Sequence, residues 1–337
     1  VRRIRRILVL GGCGLIGSYL VRELLEEGYE VTVVDRAGDF LIPVERNERL
    51  IRVSSEVEAL TPKDYEGYDV VVLLAAILGG VRFFHRYPFT IARENTRIVL
   101  SVVENLISLS PSPLLIYFSS SMVFERADRG VEEEDLREMK IPLTSYGLGK
   151  LFGERVVTSA SEEYGLSYLI VRPFNAVGAG ETPLIGEKGE ILWGMRHVIP
   201  EFVLKAILKE NPFTILGDGN QVRTFTHCAD IARGVVAMVK KGIRNEVFHL
   251  CGEERYTVRE LARVIWETIN PGDDLPEIRS LPREPYDVGY RTSTSQKARR
   301  LLGWEPRYRL NDILSEVVPF IRRWWEGVRK GRFPEGG

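Results

Sequence analysis

Residues 7–18 read Ile-Leu-Val-Leu-Gly-Gly-Cys-Gly-Leu-Ile-Gly-Ser, and residues 29–35 read Tyr-Glu-Val-Thr-Val-Val-Asp, with an amphipathic stretch between them. A strand, a glycine turn, a helix and a second strand ending in an acid make a dinucleotide-binding unit. Gly11, Gly12, Gly14 and Gly17 let the backbone turn sharply and approach a pyrophosphate. The phosphates would then rest on the amide groups and positive dipole end of the helix that Leu15 and Ile16 open. Asp35 lies 18 residues beyond Gly17 at a strand end, where its carboxylate accepts hydrogen bonds from an adenosine ribose diol and repels a 2′-phosphate. NAD is therefore expected ahead of NADP, although Arg36, the next residue, is able to tolerate a phosphate.

The alternation continues beyond Asp35. Residues 50–53, 69–76, 114–119 and 167–171 read as strands, and 91–108 and 146–163 carry helical spacing. Parallel strands need crossover connections, so the pattern predicts a Rossmann-type, doubly wound α/β sheet covered on both faces. From Gly178 it loosens into a glycine-rich loop. Helices are then expected near 199–209, 229–240, 258–269 and 310–329, with short strands at 213–216 and 246–250. The expected division is a dinucleotide-binding domain over 1–177 and a smaller mixed α/β substrate lobe over 178–337, one of whose strands or helices can return to the first domain. A cleft between them would border the carboxyl ends of the strands.

Bulk properties narrow the partners. The chain has 337 residues, 44% of them apolar, enough for two packed lobes, and a net charge of −1 with both signs interspersed. Such a balance gives no field for nucleic acid, and the basic Val-Arg-Arg-Ile-Arg-Arg start reads as a solvated lead-in to the first strand. No apolar run reaches the roughly 20 residues of a membrane span, and no secretory leader pattern is present, so a cytoplasmic protein is expected. Cys13, Cys228 and Cys251 are odd in number and widely spaced, which suits reduced thiols, and the scattered His85, His197, His227 and His249 predict no metal site.

Tyr146 and Lys150 stand four residues apart, on one face of the expected helix. A phenol beside an ammonium suits proton transfer, because a nearby cation stabilises phenolate. Alone this spacing is a weak signal. Its context strengthens it: Ser119, Ser120 and Ser121 directly follow a predicted core strand, at the sheet edge that carries the nucleotide turn, where hydroxyls can orient a substrate alcohol.

These segments together resemble the extended short-chain dehydrogenase/reductase family of nucleotide-sugar epimerases and dehydratases, over nearly the whole chain. The resemblance is carried by the glycine turn, Leu73-Leu74-Ala75-Ala76, Asn95, Ser-Ser-Ser-Met-Val-Phe at 119–124, Tyr146 to Lys150, and Arg172-Pro173-Phe174-Asn175. In the carboxyl half it is carried by 217–227, Asp230, Pro282-Arg283 and Leu-Leu-Gly-Trp-Glu-Pro at 301–306. It implies that Tyr146 is the general acid/base, that Lys150 holds the nicotinamide ribose and tunes Tyr146, and that Ser120 bonds the reacting hydroxyl, with Ser121 as fallback. It also implies that Leu74, Ala75, Ala76, Asn95, Ser119 and Pro173 border the NAD site. Asn175 would hold a substrate phosphate or sugar group, and Arg223 and Arg283 would clamp a diphosphate through bidentate contacts. The chain departs from the usual pattern at Ser55, Leu73, Thr224 and Phe124-Glu125, the last pair standing where tyrosine-glycine is common.

The resemblance also bears on the reaction. Dehydratases of the family carry Asp-Glu just after the active hydroxyl residue, decarboxylases a glutamate and 3,5-epimerases a cysteine two residues after it. This chain has Ser121 and Met122 there. The remaining outcome is a 4-epimerase of a nucleotide-diphosphate sugar, most simply of the UDP-glucose/UDP-galactose type, working through a 4-keto sugar. Alternatives are a dehydratase, reductase or other epimerase that takes a group from the cover segment 181–200, which carries Glu187, Lys188, Glu190, Trp193, Arg196 and His197, and, outside enzymes, an NAD-sensing protein. Relatives dimerise through the helices corresponding to 91–108 and 146–163, so a homodimer is expected, with Val99, Val102, Val103 and Leu106 as an apolar face.

Overall fold

The computed structural model describes residues 4–186, 189–285 and 287–331, so Arg2, Arg3, Glu187 and Lys188 lie outside the described residues. At its centre is β1 (Arg6–Leu10), flanked by β2 (Glu30–Asp35) and β4 (Val70–Leu73). With β3 (Leu50–Ser54), β5 (Leu114–Phe118), β6 (Tyr168–Pro173) and β7 (Glu246–Leu250) they form a seven-stranded sheet in the order β7-β6-β5-β4-β1-β2-β3, every pair parallel. The expected doubly wound sheet is therefore present. Its order turns back between β1 and β4, which places Gly11, just past one strand, beside Leu74–Ala76, just past the other, at the switch point where such sheets bind ligands.

Ile7, Leu8, Val9 and Leu10 are buried on both faces, which is why β1 reads as a continuous apolar run rather than an alternating one. One face packs against α1 (Leu15–Glu26) and α6 (Cys228–Lys241) through Leu20, Leu24, Val235 and Val239. The other is covered by α3 (Pro88–Ile107) and α4 (Ser145–Tyr164). Val99, Val102, Val103 and Leu106 belong to that second core and are buried against their own sheet, so this stripe is not the free apolar face expected for a partner copy. Among the exposed apolar side chains of the pair are Phe89, Leu148 and Phe152.

Beyond residue 178 the chain serves both lobes, since α6 and β7 complete the sheet layers of the first. A second core gathers α5 (Val198–Ile207), α7 (Val258–Ile269) and α9 (Leu310–Arg329) around Phe213, Leu261, Ile265 and Leu314, while α8 (Gln296–Leu302) packs back toward α6. Strand 222–224 pairs with 255–257 and with 290–291, two short strands that the sequence pattern does not announce. A further unannounced element, α2 (Val81–Arg86), precedes α3, and Tyr87 alone separates the two helices, with Pro88 opening the second.

Candidate active site

The glycine turn is built on contacts that leave no room for side chains. A Cβ on Gly11, whose φ is +83°, would stand 2.5 Å from the Ala75 nitrogen, and one on Gly17 would stand 2.6 Å from the carbonyl oxygens of Gly11 and Gly12. Gly14 caps α1 without a side-chain bond, so the main-chain amides at Leu15 and Ile16 begin the helix uncovered by any capping group. The Asp35 carboxylate closes the far side, accepting from the Cys13 and Ala37 main-chain amides at 2.9 Å each. Arg36 is exposed beside it. Leu74 and Ala75 both donate to the Leu10 carbonyl, and Asn95 spends its amide on the main chain of Ile77, at 2.7 and 3.0 Å, bracing this wall from behind.

At the ends of β5 and α4 the structure brings Ser120 and Tyr146 together, both buried, with the Ser120 hydroxyl acting on the Tyr146 phenol. The Ser120 Oγ also accepts from the Met122 amide at 3.1 Å, and Ser121 is buried at the start of the 3-10 turn Ser121–Phe124. Burial raises the Tyr146 phenol above its ordinary value, while the Ser120 hydroxyl and the charge of Arg291 pull it down. Lys150 is directed at the Phe118 carbonyl, 2.8 Å away, with its ammonium 6.0 Å from the centre of the Tyr146 ring. Burial brings that ammonium down to about 8, against the opposing charge of Glu154. Arg291 acts on the phenol in the same sense as the effect expected of Lys150.

Ser119 turns away from the cleft. Its hydroxyl donates to Glu154 Oε1 at 2.5 Å, and Glu154 holds the Arg172 guanidinium through two bonds of 2.8 and 2.7 Å. This pair is buried one helical turn beyond Lys150. Pro173 ends β6 directly above it.

On the substrate side, Asn175 adopts a φ of +43° and donates to the Thr224 carbonyl at 2.6 Å. Its Oδ1 accepts from Arg291 Nη1 at 3.1 Å. Arg223 is buried and bonded to Asp287 Oδ1 at 3.3 Å and to the carbonyls of Val222 and Val288, and burial brings it down to about 9. Arg283, more exposed, reaches Asp287 Oδ2 at 3.7 Å. Two guanidinium groups therefore share the single Asp287 carboxylate, and the Arg291 guanidinium feels its charge from nearby, an arrangement with positive charge left over for an anion. Arg291 was missed by sequence reasoning; its signal is the strand register that makes it the Cα partner of Arg223. Its Nη2 approaches Met122 Sδ at 2.8 Å, and its Nε is buried with no hydrogen-bond partner among the described residues.

The cover segment forms a hairpin, Leu184–Ile185 against Ile191–Leu192, followed by a turn stitched to α2. The Gly80 and Arg82 amides donate to the Met195 and Gly194 carbonyls, and Arg82 reaches the Trp193 carbonyl and Glu284 at 3.0 and 2.7 Å. Beside this turn the His197 Nδ1 lies 2.5 Å from Glu181 Oε1, and the carboxylate raises the imidazole above its usual range against the effect of burial. Among the described residues no cluster of side chains is fit to hold a metal ion, and no helix is long and apolar enough to cross a membrane.

Residues 7–251 match the NAD dependent epimerase/dehydratase family, and the chain belongs to it. The chain is 26% identical to a UDP-glucose 4-epimerase of Lactobacillus helveticus, over 97% of this chain and 98% of that one. Among solved structures it resembles the UDP-glucose 4-epimerase of Thermotoga maritima with UDP-glucose, at 27% identity and a TM-score of 0.78 over 95% of this chain and 99% of that one. It also resembles a dTDP-glucose 4,6-dehydratase of Streptomyces venezuelae with NAD bound, at 26% identity and a TM-score of 0.82 over 96% and 99% of the two chains. The protein is an NAD-dependent enzyme, which removes the reading as a cofactor sensor. The residues present suit NAD: the space a Cβ would fill at Gly11 and Gly17 is taken by main chain, the amides of α1 are uncapped, and Asp35 presents a carboxylate where a ribose diol would lie.

Proposed function

We propose that the enzyme is a nucleotide-sugar 4-epimerase of the UDP-glucose/UDP-galactose type, acting through a transient 4-keto sugar. The observation that carries this reading is the buried Ser120 hydroxyl set beside the Tyr146 phenol, with the Met122 side chain packed in the same cluster. It is a proton-transfer pair for a sugar hydroxyl whose neighbour is a thioether, where elimination or decarboxylation would call for an acid. Ser120 orients the C4 hydroxyl, and Tyr146 as phenolate takes its proton and later returns it. Bound NAD supplies the hydride acceptor and donor. Gly11, Gly14, Gly17 and Asp35 would hold it, and Lys150 would meet its nicotinamide ribose. Asn175, Arg223 and Arg283 hold the nucleotide diphosphate, and Arg291 reaches the sugar end of the same cleft.

The test is to incubate the protein with UDP-glucose and with UDP-galactose separately, without added reductant, and follow each by proton NMR. The same mixture reached from both sides supports the reading, and Tyr146→Phe should abolish the conversion while leaving NAD bound. No exchange with either sugar removes it.

A second reading is favoured by the His197–Glu181 pair, a protonatable dyad in the cover segment. It suits a dehydratase or other epimerase in which the 4-keto sugar is deprotonated and reprotonated at a carbon next to the ketone. Deuterium from heavy water appearing at C3 or C5 of the product would favour it, since 4-epimerisation leaves those hydrogens in place.

We also infer a homodimer, in which Phe89, Leu148 and Phe152 on the outer side of α3 and α4 meet a second copy. Light scattering that finds a monomer at micromolar concentration would remove it. Three free, buried cysteines support a cytoplasmic site of action.

A further inference from the structure

We infer that Glu125 is a positioning residue that sets the Ser120–Tyr146 geometry through the first turn of α4, an inference that rests on Tyr146 as the proton-transfer group. Glu125 occupies a position where a glycine is common in similar chains, yet its carboxylate is buried, 6% exposed. Every hydrogen bond it accepts comes from the entrance to α4. Oε1 takes the main-chain amides of Leu143 and of Thr144, the latter at 2.9 Å, and Oε2 takes the Thr144 hydroxyl at 2.5 Å. Three donors, together with the positive end of the helix, offset the desolvation of the carboxylate.

The two ends that Glu125 joins are the two that carry the chemistry. Ser120 caps the 3-10 turn Ser121–Phe124, and Glu125 closes it, its amide donating to the Met122 carbonyl at 3.1 Å. Tyr146 is the second residue of α4. One side chain therefore ties the turn beginning at Ser120 to the helical turn bearing Tyr146. The contact is also sterically closed, because a Cβ on Gly147 would stand 2.7 Å from the Met122 carbonyl oxygen and 2.8 Å from Glu125 Oε2.

Capping alone does not account for Glu125. Thr144 already caps α4, its hydroxyl accepting from the Gly147 amide at 3.0 Å. What the carboxylate adds is the link across to the Ser120 turn. It also helps to hold the charge of Arg291, which faces Tyr146 from the opposite lobe. The polar and charged groups around the phenol are Ser120, Arg291, the Lys150 ammonium and the Tyr117 phenol. If Glu125 is lost, the 120–125 turn and α4 are free to slide apart, the Ser120 hydroxyl moves away from the phenol, and the phenolate loses a stabilising donor.

The experiment uses the full chain loaded with NAD and carrying Glu125→Ala, Glu125→Gln or Glu125→Asp. The first readout needs no sugar: the phenol-to-phenolate ultraviolet difference signal of Tyr146, with Tyr146→Phe as the blank. Glu125→Ala should move this titration to higher pH, with Glu125→Asp between it and wild type. The second is steady-state turnover of a nucleotide sugar that the wild type converts. There Glu125→Ala should lower kcat by about 10–100-fold with KM within about twofold, as expected when reacting groups are displaced by about 1 Å. If the alanine variant does not fold, the near-isosteric Glu125→Gln carries the test, with kcat lowered about threefold to tenfold and the titration displaced the same way. Unchanged kcat and an unchanged Tyr146 titration in folded variants, with only the unfolding temperature lowered, would make Glu125 a helix brace and overturn the inference. Should the wild type convert no nucleotide sugar, the functional reading fails, and the titration still decides the role of Glu125.

Discussion

The ring of Phe84 lies flat on the ring of Tyr146, with centroids 4.7 Å apart and planes 6° from parallel. Phe84 belongs to α2, the short helix whose neighbouring Arg82 and Gly80 clasp the cover turn of the other lobe. The stack is thus where the two lobes meet over the phenol, and it contributes to the burial that is the largest influence raising Tyr146. Phe84→Ala should admit water and move the Tyr146 titration down toward the ordinary tyrosine value of about 10, at a stability cost of about 3 kcal/mol. Ultraviolet titration and urea unfolding check the two effects. A titration that stays at the wild-type position would show that the stack does not dry the phenol.

Arg291 acts on the same phenol with the opposite sense. It lowers Tyr146 by charge, its Nη1 and Nη2 are bonded to Asn175 and Met122, and its buried Nε has no hydrogen-bond partner among the described residues. Arg291→Met should raise KM for the nucleotide sugar by about 10–100-fold, the loss expected for a charged hydrogen bond, and shift the acidic limb of kcat/KM to higher pH. Arg291→Lys should restore the charge but little of the affinity, because an ammonium lacks the planar fork. A lysine variant with wild-type KM would contradict that use of the guanidinium.

The difference between what was legible and what was not follows physical lines. The glycine turn, Asp35 and the apolar strands were readable because each requirement is local: a turn that excludes side chains, or a strand buried on both faces. α4 was expected over 146–163 and spans Ser145–Tyr164 for the same reason. α2 was not readable, since six residues cannot display a helical period and its consecutive Phe83 and Phe84 suit a strand equally well. Arg291 was hidden for another reason, because a two-residue strand carries no pattern and the pairing with Arg223 exists only in the register of a folded sheet. Glu125 was visible as an unusual residue, but its partners at 143 and 144 lie in a segment that only the tertiary fold brings near. The stripe at Val99, Val102, Val103 and Leu106 was visible as apolar, while which surface it covered depended on the sheet beneath it.

Glu154 and Arg172 form an ion pair buried on both sides, at 6% and 3% side-chain exposure, behind Lys150 and Ser119. Removing one partner strands the other charge away from water. Glu154→Gln is expected to cost about 3–5 kcal/mol of unfolding free energy, whereas adding Arg172→Met should recover part of that loss. Urea unfolding of the two single variants and the double variant gives the coupling directly. Additive losses would mean that the charges are satisfied independently, through the Glu133 carbonyl and the Ser119 hydroxyl.

Glu201 supplies a pH dependence of stability. Its carboxylate reaches back from α5 to accept the Gly194 amide at 2.8 and 2.9 Å and the Arg196 amide at 3.2 Å, holding the cover turn. Burial nevertheless outweighs these donors and the nearby Lys205, pushing the carboxyl from 4.5 up to about 7. An acid raised in the folded state is protonated there over a range in which the unfolded chain has already ionised. The unfolded state therefore gains as pH rises from about 4.5 to about 7, and the fold loses about 3 kcal/mol over that window, with no further loss above it. Glu201→Gln keeps an acceptor oxygen for the cover turn and cannot ionise. Relative to wild type it should be of similar stability near pH 4.5 and more stable by about that amount at pH 8, as measured by urea unfolding across the range. A constant difference between the two proteins at every pH would mean that Glu201 is ionised throughout and that its two main-chain amides outweigh its burial.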